Sequence, residues 1–495
     1  MAIMSAAADR VPIPGVAAAA LTGISSMQDD IIYLGAVEMA AQIRSGHLSA
    51  RELMQAHLAR IEAINPTVNA IVTLHAEQAM AASFAADEAQ AHGKPLGPLH
   101  GLPVAHKDLI MTRGMRTTYG SRVHEHYVPT RSALLVERQQ AAGAISIGKT
   151  NTPEFGAGSQ TFNELFGATR NPYHLGKTCG GSSGGSAVAL ATCMVPLADG
   201  TDMGGSLRCP ANFCNVVGLR PAVGRVPDFP SQNGWGSLSV QGPMARSVAD
   251  LALHLSVMAG HDARDPLAIA EDGAQFRAPL QSDMKGKRIA WSMEMGGLPV
   301  DPQVLGVLEA QRKVFEDLGC IVEDAYPDMR DAHDIFMALR AYAFELHYGA
   351  VLDRHPGVLK ETIVWNIEAG RKLSAAQLAR AEKLRTALFI RMHRFMQTYD
   401  FLVTPVNQAP PFDIEKPFVD EIAGVKMESY IDWMRSCYTI TATTHPALSV
   451  PAGFTDDGLP VGLQLVGRHQ GELALLQMGH AFEQATLVGL RRPTL

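Results

Sequence analysis

The chain has 495 residues, with 42 lysines and arginines against 49 aspartates and glutamates, for a formal net charge of −7. Nearly half of it is apolar (47%) and only 18% is charged, so a large buried core is available. The mildly acidic balance, without a Lys/Arg cluster, argues against a nucleic-acid footprint, and no apolar run approaches the roughly 20 residues of a membrane-spanning helix.

In chain order, residues 1–30 read as an N-terminal arm. Residues 16–24 are apolar, but Asp9, Arg10, Pro12 and Pro14 suit neither the core nor the flanks of a secretory leader, so a cytoplasmic protein is expected. Ser49-Ala-Arg-Glu52 is a capping box with Leu48 and Leu53 as its hydrophobic staple. The helix it opens carries Met54, Leu58 and Ile61 on one side and is predicted to stop before Pro66. Residues 102–106 form a short apolar strand that delivers Lys107 at its end, where catalytic groups emerge from sheets. His124-Glu-His126 reads as a solvated loop, and no metal site is expected.

Gly143-Ala-Ile-Ser-Ile-Gly148-Lys149-Thr150 fits the letter of a P-loop. Its intervening residues alternate as a strand, however, and Asn151-Thr152-Pro153 follows in place of a clean helix, so a nucleotide site is not expected. Further strands are predicted over residues 144–147, 195–198, 288–291, 401–404, 447–450 and 461–466. Residues 331–399 are nearly all helical in pattern and form a candidate cover over one side of the sheet. Within them Ser374-Ala-Ala-Gln377 is a second capping box, followed by Leu378, Ala381, Leu388, Met392 and Phe395 on one side. The alternation of helix and strand, with no internal repeat or linker, predicts one α/β domain over residues 31–495. The six cysteines form no C-x-x-C pair and read as packing residues.

The most informative stretch is residues 180–206, GGSSGGSAVALATCMVPLADGTDMGGS, in which two glycine-serine clusters flank an apolar helix-like run and a short strand. Glycine lets backbone approach a ligand closely, and serine supplies a hydroxyl that can be made nucleophilic. Both Gly180-Gly-Ser182-Ser-Gly184 and Gly181-Ser-Ser183-Gly-Gly185 satisfy the G-x-S-x-G elbow of histidine-dependent hydrolases. Asp400, His445 and His480 could complete such a triad, but none has a supporting context. A lysine base is the alternative: burial of Lys107 in a low-dielectric cleft would disfavour its ammonium form.

Taken together, the chain resembles the amidase signature family. The resemblance rests on Gly101-Leu-Pro-Val-Ala-His-Lys107-Asp108, Gly148-Lys-Thr-Asn-Thr-Pro-Glu-Phe155, Ala168-Thr-Arg-Asn171-Pro172 and residues 180–206. It continues through Gly218-Leu-Arg-Pro221, Asp400-Phe-Leu-Val-Thr-Pro405, His445-Pro-Ala-Leu-Ser-Val-Pro-Ala-Gly453 and Gly458-Leu-Pro-Val-Gly-Leu-Gln464. The implied fold is α/β, a single large domain whose twisted mixed β-sheet is covered on both faces by α-helices. The implied catalytic set is Ser206 as nucleophile, Ser182 as proton relay on a cis peptide to Gly181, and neutral Lys107 as base. The N–H groups of Met203, Gly204, Gly205 and Ser206 are then expected to form an oxyanion hole, braced by Asp202 and Arg208, with Ser183 assisting the relay. Asp199 stands where that family commonly has an apolar residue, and Met203 where a smaller one is usual.

The resemblance implies an amidase that cleaves C–N bonds of small amides (anilides, aliphatic or amino-acid amides, carbamates and urethanes) without metal or organic cofactor. Phe155, Gly156, Phe162, Thr404 and Ile440 are the candidate substrate-pocket residues. The lack of a charged cluster in their segments favours an uncharged aryl or aliphatic substrate. The expected partner is a small amide or carbamate, with no nucleic acid and no membrane, and a homodimer is the candidate assembly. Two rivals remain at this level: a protein like the A-subunit of an amidotransferase, working in a complex, and the histidine-dependent esterase.

Overall fold

The alternating helix and strand signals resolve into an 11-stranded mixed sheet in the computed structural model, which describes residues 31–495. The expected N-terminal arm, residues 1–30, lies outside the described residues. In chain order the strands are β1 (Ile71–Leu74), β2 (Pro103–Lys107), β3 (Ile145–Thr150), β4 (Leu197–Asp202), β5 (Val217–Arg220) and β6 (Val240–Ala245). They continue as β7 (Arg288–Trp291), β8 (Ile321–Asp324), β9 (Phe401–Pro405), β10 (Ala447–Phe454) and β11 (Pro460–Val466). Their order across the sheet is β1-β3-β2-β4-β6-β5-β10-β11-β9-β7-β8. Parallel pairing joins β2 to β3 and to β4, and joins β7 to β8 and to β9; the other pairs are antiparallel.

Alternation along each strand sends successive side chains to opposite faces. On β2, Val104 joins a core with Leu251 and Leu255 of the Val248–Met258 helix and Leu475 and Phe482 of the Glu472–Thr486 helix. Its neighbour Ala105 faces the other way, toward Val188 and Leu190 of the Gly184–Ala191 helix and Met54 and Ile61 of the Ala50–Val68 helix. Further along that second face, Ala290 and Leu402 pack beneath Phe336, Leu339, Leu388 and Met392 of the cover. Helices thus lie on both faces, as expected. The cover is three helices, Ala332–Arg354, Glu361–Arg371 and Ala375–Thr398.

Both capping boxes form, at Ser49/Glu52 and at Ser374/Gln377. The first helix does not stop before Pro66. It runs to Val68 with the proline inside, and Asn65 caps the exit by accepting the Ala70 and Ile71 N–H groups at 2.9 and 2.8 Å. Strands β1, β5, β6 and β8 have no counterpart among the predicted strands. In β6 the sequence Val-Gln-Gly-Pro-Met-Ala carries a Gly-Pro pair that normally marks a turn, and pairing to β4 on one side and β5 on the other overrides it. Among the described residues no helix is long and apolar enough to cross a membrane.

Candidate active site

Strands β2 and β4 run parallel, so their C-terminal ends open on the same edge of the sheet. Lys107 is the last residue of β2, and the chain leaving β4 turns through Met203, Gly204 and Gly205 to Ser206. The Gly184–Ala191 helix leads back to the start of β4, which brings Ser182 and Ser183, at its N-terminus, to that same edge. This topology brings Lys107, Ser182 and Ser206 to one edge of the sheet.

Lys107 is completely buried, and its Nζ is hydrogen-bonded to Ser182 Oγ at 2.7 Å and to Thr201 Oγ1 at 2.9 Å. Burial pulls its pKa down to about 7, even though the Asp202 and Asp199 carboxylates oppose the shift. The Gly181–Ser182 peptide is cis. Ser183 ties the two loops together: its N–H donates to the Ser206 carbonyl at 3.1 Å, while its hydroxyl lies 3.4 Å from both the Thr201 carbonyl and the Thr201 N–H.

The turn before Ser206 is clamped by a buried ion cluster. Asp202 accepts from Arg208 Nη2 at 2.9 Å and Nε at 3.0 Å, and Arg220 Nη1 lies 3.3 Å from the same carboxylate. Burial alone would raise the Asp202 pKa, but the two guanidiniums, Arg208 foremost, hold it well below the usual carboxylate range. Arg208 also donates to the Cys437 carbonyl at 2.9 Å, to Gln464 Oε1 at 2.5 Å and to Thr441 Oγ1 at 2.9 Å. Asp202 in turn takes the Gly205 N–H at 3.0 Å, so that donor is committed to the protein. Among the described residues, the N–H groups of Met203, Gly204 and Ser206 have no main-chain or side-chain acceptor. They are free to meet an oxygen in the cleft. Gly205 has φ +120°, and a Cβ there would sit 2.6 Å from Cys437 Cβ, so conformation and space both require glycine.

Behind Lys107, Asp199 accepts its main-chain N–H at 3.0 Å and pairs with His106 Nδ1 at 2.5 Å. Asp199 therefore holds the end of β2, a function its sequence position did not announce.

Ser182, Thr201, Met203, Gly204 and Ser206 open onto a cavity of about 930 Å³. Phe155 and Gly156 line it. Phe162, Thr404 and Ile440 do not. Phe162 sits on a short ribbon under the Lys360 ammonium, 4.2 Å from its ring centre. Thr404 is buried in β9, where Gln464 Nε2 donates to its hydroxyl at 2.9 Å, and Ile440 belongs to the apolar core under the cover. Neither lines the cleft.

The walls without a sequence-level candidate come from the segment 228–241 and from the Ala332–Arg354 helix, through Leu339, Arg340, Phe344 and Tyr348, together with Tyr119 and His124. Phe155 and Tyr348 lie ring to ring at 4.5 Å, and Phe344 meets Tyr348 at 5.6 Å. The signal was present in the sequence: Phe336, Arg340, Phe344 and Tyr348 recur every four residues and so share one helix face.

The histidine triad does not assemble. His445 Nδ1 is bonded to the Thr443 carbonyl at 2.9 Å, His480 lies 3.7 Å from Glu483, and Asp400 accepts the Arg288 N–H at 2.9 Å. None of the three lines the cavity. The P-loop look-alike is β3 with its flanks, and its Lys149 is buried, donating to the Ile110 carbonyl and to Thr112 Oγ1. Among the described residues no group of three His, Cys, Asp or Glu side chains is placed to hold a metal ion.

Known proteins share both the sequence and the fold of this chain. The family model described as Amidase matches residues 52–476. An acylamidase of Rhodococcus erythropolis is 35% identical over 459 residues, covering 92% of this chain and 96% of its own. The A-subunit of the glutamyl-tRNA(Gln) amidotransferase of Methylococcus capsulatus is 35% identical over 483 residues, covering 92% and 98%. Among solved structures, a bacterial aryl acylamidase of the amidase signature family superposes with a TM-score of 0.87 at 28% identity, covering 93% of this chain and 99% of its own.

Proposed function

The chain belongs to the amidase signature family, whose members include hydrolases acting on amides, and from that premise we propose that it works alone as an amidase using a Ser206 acyl-enzyme. The observation that carries this reading is the buried Lys107 Nζ, 2.7 Å from Ser182 Oγ, at a cavity that also takes in Ser206.

Neutral Lys107 accepts the Ser182 proton as Ser182 accepts that of Ser206. The Ser206 oxygen then bonds to the substrate carbonyl carbon, and the tetrahedral oxyanion is held by the N–H groups of Met203, Gly204 and Ser206. Collapse breaks the C–N bond, and the amine departs with the proton returned through Ser182. Water repeats the sequence on the acyl ester, freeing the acid and restoring Ser206. No metal or organic cofactor enters the chemistry. Anilides, aliphatic or amino-acid amides and carbamates are the candidate substrates, and the aromatic wall of Phe155, Phe344 and Tyr348 supports aryl or extended acyl groups.

The likeness to the amidotransferase protein supports a second reading, in which the same serine chemistry operates inside a complex. Purified chain assayed without partners on anilides, aliphatic amides, esters and carbamates decides between the two. Turnover of a small amide supports the stand-alone enzyme. Turnover only when an amidotransferase partner is added overturns it.

A further inference from the structure

Arg340 is a buried charged group at the cavity that the amidase chemistry does not use. It sits mid-helix in Ala332–Arg354, is 5% exposed, and lines the same cavity as Ser206. A buried guanidinium is costly unless its charge is paired. Yet among the described residues no carboxylate lies within ion-pair distance of it. Its Nε donates to Asn366 Oδ1 at 3.1 Å and its Nη2 to Tyr430 OH at 2.6 Å, while the Phe344 ring lies 4.5 Å beneath. These contacts fix the plane of the fork. The remaining arm, Nη1, meets only the Met203 sulfur at 3.4 Å, a weak acceptor. Met203 is also the first residue of the oxyanion turn.

The rest of the cavity wall repeats the imbalance. Arg131 and Arg354, both exposed, and half-buried Arg385 line it too, and among the described residues none of them makes an ion pair. Its carboxylates are Glu382 and Asp228, both exposed, with Asp228 also accepting from Gln241 Nε2 at 2.6 Å, so four arginines face two carboxylates. The expectation of an uncharged substrate came from segments that supply none of these arginines.

Building on the amidase reading, we propose that the substrate is an amide bearing a carboxylate, bound by the Nη1 edge of Arg340 beside Met203. Planar, pre-oriented guanidinium groups match carboxylate geometry, and the low-dielectric wall strengthens the pairing.

The test uses the purified full chain and two matched substrate pairs. Glutaryl against pentanoyl 4-nitroanilide places the carboxylate on the acyl half, and 4-acetamidobenzoate against 4-acetamidobenzamide places it on the amine half. In one pair the carboxylate member is expected to have a kcat/KM higher by about tenfold or more, carried by KM, and that ratio should collapse toward one in Arg340→Gln. Arg340→Lys should keep part of it. Should Arg340→Gln not fold, the Lys variant and the wild-type ratios carry the test. Turnover of the neutral members with no carboxylate preference in either pair overturns this inference and leaves the amidase reading standing, as does a preference that survives Arg340→Gln. No turnover of any member, with no phosphonate adduct on Ser206, overturns the amidase reading itself.

Discussion

His106 Nδ1 lies 2.5 Å from Asp199 Oδ2 with both side chains buried, and the other oxygen of that carboxylate takes the main-chain N–H of Lys107. The pair fixes the end of β2 and also sets a negative charge beneath the proposed base. Asp199 is one of two carboxylates that favour the ammonium form of Lys107, against the larger effect of burial. Asn at this position keeps the shape and removes the charge. Asp199→Asn should therefore lower the Lys107 pKa further and shift the acid limb of kcat/KM to lower pH. A limb that stays in place, in a variant whose circular dichroism is native, would show that the carboxylate does not act on Lys107.

The wild-type acid limb follows from the same residue. With Lys107 brought down to about 7, activity should rise through neutral pH as the ammonium loses its proton and level off above it. Lys107→Ala should lose essentially all turnover while keeping the fold. A profile flat down to about pH 5, or near-normal kcat in the alanine variant, would rule out a lysine base.

Stability should respond to the same group over a higher pH window than activity. An unfolded lysine keeps its proton up to its ordinary value of 10.5, whereas folded Lys107 releases it near 7. Between those values the unfolded chain binds more protons, so stability from this group climbs with pH across that window. The penalty is fully present below 7 and gone above 10.5. Lys107→Met, which fills the space without a charge, should raise the urea midpoint relative to wild type at neutral pH and lose that advantage near about pH 10.5. A midpoint difference independent of pH would mean that the lysine is not held neutral.

The Asp202 cluster makes a separate prediction. Asp202→Ala leaves the buried Arg208 and Arg220 guanidiniums without their carboxylate, a change that typically costs about 3–5 kcal/mol. It also frees the Gly205 N–H and loosens the turn that presents Ser206. Gly205→Ala attacks the same turn from the backbone, through its φ and the approach to Cys437. It should cut kcat by roughly 10²–10³, the scale of a lost oxyanion donor, with a smaller loss of stability than Asp202→Ala. Near-normal kcat in Gly205→Ala would mean that the turn does not position oxyanion donors.

What was legible in the sequence was local. Capping boxes at Ser49 and Ser374 formed because each depends on residues three positions apart, and β7 appeared with its predicted bounds. The glycine-serine loops and Lys107 could be read because glycine and serine at fixed spacing carry chemistry in the sequence itself. Strand β6 could not, since its Gly-Pro pair reads as a turn until neighbours on both sides supply hydrogen bonds. The pocket walls were legible only in part. Thr404 and Ile440 sit in or near the matched motifs in sequence but, in space, in the sheet behind Gln464 and in the apolar core, whereas Arg340 and Tyr348 are remote in sequence and face the cleft. Proximity along the chain is a poor guide when a cover helix folds back over the sheet edge.

The assignment of roles to the two serines gives the last prediction. Ser182 is almost fully buried, and its hydroxyl is engaged with Lys107 at 2.7 Å, whereas Ser206 is partly exposed to the cavity beside three free N–H groups. A hydroxyl held by the base is placed to pass protons, and one open to the cleft is placed to attack. A fluorophosphonate probe should therefore form its adduct on Ser206, as read by peptide mass spectrometry. Ser206→Ala should abolish labelling, while Ser182→Ala should slow it without moving the site, because the nucleophile survives and only its proton path is broken. An adduct on Ser182 or Ser183 with Ser206 unmodified would reverse the roles and bring the G-x-S-x-G reading back into contention.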